Sequence, residues 1–111
     1  MSWAVLVHPE ADLELGKVGP RERVAIVNAL KKLQEIGPSL GYPHTSDVRG
    51  ANHLRELRPR AGRSPWRAFY RQIGSALVVG AIGPEAEVDP KGFKRATSIA
   101  EQRSDEVEDG S

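Results

Sequence analysis

The sequence contains no cysteine, so disulfide bonds and thiolate chemistry are excluded. Its longest apolar runs are much too short to span a bilayer, and we expect no membrane partner. The first residues lack a basic leader followed by a long apolar stretch. They therefore do not resemble a signal peptide, and the expected location is the cytoplasm. The three histidines, His8, His44 and His53, do not have the spacing of metal ligands, so we expect neither a metal site nor a cofactor.

Charge is nearly balanced over the whole chain but is unevenly distributed along it. The formal net charge of +1 argues against a protein that coats nucleic acid without specificity. Residues 53–72 contain six arginines and one acid, whereas residues 101–111 contain five acids and one arginine. This separation indicates an anionic partner, with the acidic tail either crossing the basic surface or solvating the end of the chain. The length predicts a single domain, residues 1–111, whose tail frays from about residue 104.

Hydrophobic periodicity and breaker residues predict an α+β fold with the element order β-α-α-β-β-β-α. In chain order the predicted elements are strand 3–7, helices 10–15 and 20–36, strands 54–58, 66–73 and 76–82, and helix 91–108. Residues 37–52 form a long predicted loop, and long ordered loops are often functional. The clearest element is helix 20–36, because its apolar residues recur at helical spacing.

We expect the four strands to form a mostly antiparallel sheet with the two N-terminal helices packed on one face. If Trp66, Ala68 and Tyr70 face those helices, alternation along the strand turns Arg67 and Arg71 outward, to a face left open. A one-residue bulge would invert this assignment.

The arginine-rich hairpin in residues 53–73 is the candidate functional surface. Alternation places Glu56 and Arg58 on one face of their strand, and Arg67, Phe69 and Arg71 on one face of the next. Guanidinium groups fixed on a sheet bind phosphate well, since each is a planar, permanently charged donor of paired hydrogen bonds. The alternative is a solvated hairpin with no ligand.

Four segments give the chain a resemblance to the RelE/ParE superfamily of toxins, and within it to the HigB-like branch of phage-derived toxins. They are G-P-S-L-G at 37–41, L-R-E-L-R at 54–58, P-W-R-A-F-Y-R at 65–71 and I-A-E-Q-R at 99–103. The resemblance implies the toxin of a type II toxin–antitoxin system, a metal-independent endoribonuclease that cuts mRNA in the ribosomal A site. It also implies attack by the ribose 2′-hydroxyl on the adjacent phosphodiester, and a helix-turn-helix, HigA-like antitoxin as partner.

The resemblance also implies roles for individual residues of the hairpin. Arg67 and Arg58 are expected to hold the charge that builds on phosphorus. Glu56 is either the general base or an ion-pair partner that keeps Arg58 in place, and Lys91 is the further catalytic candidate. The expected RNA-binding residues are His53, Arg55, Arg63, Arg71, Lys94 and Arg95, with His53 also a second candidate base.

One departure from the superfamily pattern keeps two other functions open. Phe93 stands where the resemblance implies a catalytic tyrosine, and phenylalanine transfers no proton; Lys91, Lys94 or Arg95 would then act electrostatically. Glu85 and Glu87 add negative charge where RNA phosphates would pass. The alternatives are a non-cleaving, ParE-like toxin that inhibits DNA gyrase, and a degenerate toxin scaffold that only binds its antitoxin. Growth arrest on induction would argue against the degenerate scaffold.

Overall fold

The computed structural model describes residues 2–110, which form a five-stranded sheet flanked by three helices. The elements are β1 (Ala4–Val7), α1 (Pro9–Gly16), α2 (Pro20–Ile36), β2 (Thr45–Asp47), β3 (Arg55–Leu57), β4 (Trp66–Ile73), β5 (Ala76–Pro84) and α3 (Pro90–Gly110). The strand order is β1-β5-β4-β3-β2, and every pairing is antiparallel except that of β1 with β5. The predicted α+β class and mostly antiparallel sheet are confirmed.

The prediction of four strands is wrong by one, since β2 lies within the predicted loop 37–52. Thr45–Asp47 pairs with Arg55–Leu57 at the edge of the sheet. A strand of three polar residues has no alternating apolar pattern, so only its backbone pairing with β3 reveals it.

Proline and glycine set the limits of α2, as the sequence predicts. Pro20 occupies the first turn, and the helix ends at Gly37, whose φ of +78° suits glycine. A Cβ on Gly37 would lie 2.2 Å from Nε1 of Trp3, so the turn also needs glycine for space. Between these ends, Ile26 and Leu33 are fully buried against the sheet.

The two N-terminal helices cover one face of the sheet. Ala68 and Tyr70 of β4 lie in the same buried cluster as Ile26 and Leu33, and Trp66 packs against its edge. The predicted inward orientation of these three β4 residues is confirmed. A bulge does occur, but the extra residue, Gly80, is in β5, so the alternation of β4 is kept.

Helix α3 covers part of the opposite face, so the prediction of an open face there is wrong. Phe69 of β4 packs with Ala96 and Ala100 of α3. Arg67 and Arg71 are only 2% and 3% exposed, and neither points outward into solvent. The prediction failed because the apolar stripe of α3 is thin, while its small residues allow close packing on the sheet.

Helix α3 continues through the acidic segment to Gly110, whereas the sequence predicted fraying from about residue 104. Ser104 is completely buried, and Asp105 and Glu108 form ion pairs with Arg71. The last turns of the helix are therefore in contact with β4. Across residues 2–110, no helix has the length and apolar character needed to cross a membrane.

Candidate functional site

Glu56, Arg58 and Arg67 come together where β3 ends and β4 begins, and we call them the Glu56 cluster. Oε1 of Glu56 lies 3.3 Å from Nη1 of Arg58 and 3.8 Å from Nε of Arg67. The same oxygen accepts a hydrogen bond of 2.9 Å from the hydroxyl of Ser46 on β2. Alternation predicts that Glu56 and Arg58 share a face of their strand, and the pairing of Glu56 with Phe69 puts that face on the same side of the sheet as Arg67. A carboxylate is thus held between two guanidinium groups.

Arg67 is turned into the protein, where the backbone accepts hydrogen bonds from its two terminal nitrogens, while its Nε has no hydrogen-bond partner among the described residues. Nη1 donates to the carbonyls of Ser64 and Trp66 at 2.7 and 2.9 Å, and Nη2 donates to the carbonyl of Gly62 at 3.4 Å. Burial lowers the pKa of Arg67 from its ordinary value, and the nearby carboxylate of Glu56 partly opposes that change. Arginine remains a cation at neutral pH under such conditions. Arg67 therefore supports the chain between β3 and β4 from inside.

Arg58 is the more accessible arginine of the Glu56 cluster. Its Nε donates to the carbonyl of Pro43 at 3.0 Å, and its guanidinium lies 5.2 Å from the centre of the exposed Tyr42 ring. A Cβ on Gly62 would lie 2.4 Å from Nη2 of Arg58. Gly62 thus gives the Arg58 guanidinium the space it occupies, next to the Glu56 carboxylate and at the protein surface.

The turn after β3, Pro59–Gly62, has a left-handed backbone at three successive residues. The φ angles of Arg60, Ala61 and Gly62 are +54°, +56° and +93°. Each residue other than glycine in a sparsely populated backbone region costs the folded state about 1–3 kcal/mol. Such a residue is found only where contacts with its surroundings fix its conformation. Glu22 of α2 supplies such contacts, at 2.6 Å from Nη2 of Arg60 and 2.8 Å from the hydroxyl of Ser64.

A basic cleft of about 300 Å³ lies between α2 and the Pro59–Gly62 turn. Its charged and polar lining residues are Asn28, Lys32, His44, Arg58, Arg60 and Arg63. Ala25, Ala29, Leu40 and Leu57 supply the apolar part of its lining. Arg63, a predicted RNA-binding residue, is exposed here, and its Nε donates to the carbonyl of Arg60 at 3.1 Å. Since Arg58 also belongs to the Glu56 cluster, the cleft and the cluster adjoin.

The predicted residues His53 and Arg55 lie elsewhere, beside a second cleft of about 560 Å³ that Tyr70 also lines. Arg55 forms an ion pair with Asp47 and donates to the hydroxyl of Thr45 at 2.7 Å. Strand alternation places Arg55 on the opposite face of β3 from Glu56. These two residues are therefore not part of the Glu56 cluster.

The remaining predicted residues belong to α3 or are bound by it. Arg71 is buried against Asp105 and Glu108, with Nη1 at 2.6 and 3.2 Å from their carboxylate oxygens. Lys91, Lys94 and Arg95 are exposed on the first turns of α3. Within the described part of the chain, none of these three forms an ion pair or hydrogen bond with the Glu56 cluster.

Phe93 occupies the position at which the resemblance implies a tyrosine, and it serves the core. Its ring lies 5.4 Å from that of Phe69 in an edge-to-face arrangement. Glu85, noted from the sequence for its charge, lies 3.5 Å from Nη2 of Arg67. Among residues 2–110, no three His, Asp or Glu side chains lie close enough to hold a metal ion.

Sequence reasoning did not assign the supporting residues Glu22, Tyr42, Ser46 and Ser64. Tyr42 and Ser46 come from the long loop 37–52, whose length was the available signal for a role in the site. Glu22 gave no signal, because helix α2 and the turn that it holds are far apart in sequence.

Comparison with known proteins gives one family and one fold. Residues 14–79 match the model of the family described as "Phage derived protein Gp49-like (DUF891)". No curated protein sequence matches the chain. A structure of the free Escherichia coli toxin RelE carrying two arginine-to-alanine substitutions is 20% identical, with a TM-score of 0.63 over 88% of this chain and 97% of that chain.

Two further solved structures share the fold. A chain of the Mycobacterium tuberculosis toxin–antitoxin complex RelBE2 is 18% identical, with a TM-score of 0.60 over 77% of this chain and 100% of its own. A chain of the archaeal RelE–RelB complex from Pyrococcus horikoshii OT3 is 16% identical, with a TM-score of 0.54 over 76% and 96%. The predicted RelE-like fold is confirmed.

Proposed function

The chain belongs to the phage-derived Gp49-like family and has the RelE fold, and from this premise we propose that it is a toxin that cleaves messenger RNA during translation. One observation carries the proposal: a carboxylate, Glu56, lies between the guanidinium groups of Arg58 and Arg67, on one face of the sheet beside the turn after β3. Cleavage of RNA by its own 2′-hydroxyl needs a proton acceptor and a cation at the same phosphate, and the Glu56 cluster offers both.

In the proposed reaction the 2′-oxygen forms a bond to phosphorus, and the bond from phosphorus to the 5′-oxygen of the next nucleotide breaks. Glu56 accepts the proton of the 2′-hydroxyl. Arg58, the more accessible guanidinium, binds the non-bridging phosphate oxygens as their negative charge increases. The products are a 2′,3′-cyclic phosphate and a 5′-hydroxyl.

The leaving 5′-oxygen must receive a proton, and we assign this step to His44. Histidine is the side chain that ordinarily changes protonation near neutral pH, and His44 lines the cleft that adjoins Arg58. Lys91, the candidate favoured by the sequence, has no contact with the Glu56 cluster among the described residues. Its catalytic role stays a prediction.

Arg67 is a positioning residue in this proposal. Its donors are directed to three backbone carbonyls, so its effect on the reaction passes through the position of Glu56 and of the turn beside Arg58. This replaces the direct phosphate contact expected from the sequence.

We further propose that the toxin has an antitoxin partner, since two of the structures with this fold are toxin–antitoxin complexes. Membership of the HigB-like branch, a helix-turn-helix antitoxin and binding in the ribosomal A site remain part of the proposal. They rest on the phage-derived family and on the sequence resemblance.

A cell-free translation reaction tests the function. We expect new mRNA 5′ ends within the reading frame, mapped by primer extension, only when ribosomes and the protein are both present. Glu56→Gln should reduce cleavage by roughly a hundredfold or more, as loss of a general base does, with Arg58→Ala giving a similar loss. Lys31→Ala, an exposed change on α2, is the matched control. Cleavage by Glu56→Gln at the rate of the unchanged protein would refute the mechanism.

A non-cleaving toxin is the second candidate, and the packing of Phe93 favours it. The ring is held edge-on against Phe69 and supplies no proton. Growth arrest by a folded protein that leaves mRNA intact would establish this candidate, with inhibition of DNA gyrase as the next assay. Intact mRNA without growth arrest would indicate a degenerate scaffold.

A further inference from the structure

We propose that the basic cleft between α2 and the Pro59–Gly62 turn binds the nucleotide on the 3′ side of the cut, and this rests on the proposed function. Arg58 joins the cleft to Glu56, because it both forms an ion pair with Glu56 and lines the cleft, which Glu56 does not line. A phosphate held by Arg58 therefore has the attacking nucleotide on its Glu56 side and the leaving nucleotide on its cleft side.

The charges of the cleft fit the phosphates of that nucleotide. Arg58 is partly neutralised by Glu56, and Arg60 is paired with Glu22. Lys32 and Arg63 are exposed at the same cleft and form no ion pair within residues 2–110. Cations without a carboxylate partner are the ones available to neutralise phosphate and release its counterions. Lys32 and Arg63 thus supply the charge for the phosphates that flank the bound nucleotide.

The apolar part of the cleft fits a nucleobase. Ala25 and Ala29 are small, half-buried residues of α2, and the buried Leu40 and Leu57 complete the surface. Small side chains leave room for a flat ring to lie against α2. The volume of about 300 Å³ is at the lower end of the range of small-molecule pockets, roughly 300–1,000 Å³.

The Pro59–Gly62 turn, which forms one wall of the cleft, is held in place by side chains on two sides. Glu22 reaches across from α2 to Arg60 and Ser64, and Arg67 holds the carbonyls of Gly62 and Ser64 from below. The left-handed turn is therefore anchored on both sides, and the cleft needs little reorganisation to receive a nucleotide.

Binding of a small ligand tests the cleft without requiring cleavage. We expect 5′-AMP, followed by isothermal titration calorimetry, to bind at least tenfold more tightly than inorganic phosphate, since only AMP carries a base. Ala29→Leu should fill the base position and bring the two affinities together, while circular dichroism checks that the helix is intact. Equal binding of AMP and phosphate by the unchanged protein would overturn the assignment of a base site.

Binding of RNA tests the charges. The probe is a fluorescein-labelled RNA hexamer with 2′-O-methyl groups, which is not cleaved, and the readout is fluorescence anisotropy. The double variant Lys32→Ala/Arg63→Ala should bind at least tenfold more weakly. The slope of log K against log salt concentration should also become smaller in magnitude by about 1.4, because each phosphate contact on single-stranded RNA contributes roughly 0.7 to that slope. The control Arg21→Ala/Lys31→Ala removes two exposed cations of α2 that do not line the cleft.

The outcomes separate this proposal from the proposed function. If AMP binds as expected but mRNA stays intact in translation, the cleft is established as a nucleotide-binding site, while the ribonuclease assignment and the position on the 3′ side of a cut both fail. If mRNA is cut and the double variant binds and cuts RNA like the control, the cleft assignment fails and the Glu56 cluster stands. An equal loss in the double variant and the control would mean that binding depends on total charge, which also overturns the cleft.

Discussion

Replacing Arg67 by methionine should destabilise the protein much more than the same replacement at Arg71, although both arginines are almost fully buried. Methionine has a comparable length and keeps the site filled, so the substitution mainly removes hydrogen bonds and charge. Arg67 donates to three backbone carbonyls, and of its three nitrogens only Nε has no hydrogen-bond partner within residues 2–110. At about 1 kcal/mol for each net hydrogen bond, the third being long, the loss is about 2–3 kcal/mol.

Arg71 has fewer well-satisfied donors. Its Nε and Nη2 have no hydrogen-bond partner, and the carboxylates that pair with it, on Asp105 and Glu108, are 58% and 55% exposed. Ion pairs with such exposed groups contribute little, and an apolar residue often replaces a buried charge without loss. We therefore expect Arg71→Met to change the free energy of unfolding by less than about 1 kcal/mol.

Urea unfolding followed by tryptophan fluorescence measures the difference, since Trp66 adjoins Arg67 in β4. With a denaturant dependence of about 1–2 kcal/mol per molar urea for a small domain, Arg67→Met should lower the midpoint by roughly 1–3 M. Equal shifts of the urea midpoint in Arg67→Met and Arg71→Met would refute the assignment of greater stabilisation to Arg67. An unchanged midpoint with lost mRNA cleavage would refute the positioning role of Arg67 and restore a direct phosphate contact.

Two further substitutions test the packing around the sheet. Gly80→Ala would place a Cβ 2.8 Å from the carbonyl oxygen of Ala100. We therefore expect α3 to shift outward at a cost of about 1–3 kcal/mol in the free energy of unfolding, measured as a lower thermal midpoint. An unchanged midpoint would mean that α3 is loosely packed on the sheet. Ser64→Ala removes the donor to Glu22 and the acceptor for the amide of Trp66, and should cost about 1–3 kcal/mol in urea unfolding. A stable Ser64→Ala variant would show that the hydroxyl does not hold the turn.

Local sequence patterns predicted the helices and strands in which apolar residues recur at regular spacing. The helical spacing of Ile26 and Leu33 predicted α2 and its buried side, and alternation along β4 predicted that Ala68 and Tyr70 face it. The same alternation placed Glu56 with its neighbouring arginines. These predictions succeeded because each depends on one element and its period.

Contacts between distant segments were not predictable in this way. Glu22 contacts Arg60 and Ser64 of the turn after β3, and no periodic sequence pattern relates Glu22 to these residues. Burial of Arg67 depends on the carbonyls of a turn whose left-handed residues, Arg60 and Ala61, are not glycine. The strand Thr45–Asp47 is recognisable only from its backbone pairing with β3. The residues of the candidate site were proposed from the sequence, whereas the accessibility of its arginines depends on tertiary structure.

The parallel pairing of β1 with β5 determines when the protein can fold as it is synthesised. Residues 4–7 must wait for their partners at 76–79, and β5 is also the strand against which α1 and α3 pack. Chains are made from the amino terminus, and contacts between distant segments form late because the intervening loop must first be ordered. The sheet of this protein can therefore close only after most of the chain has left the ribosome. For a protein proposed to attack translation, the proposed activity therefore requires that residues 76–79 have already been synthesised.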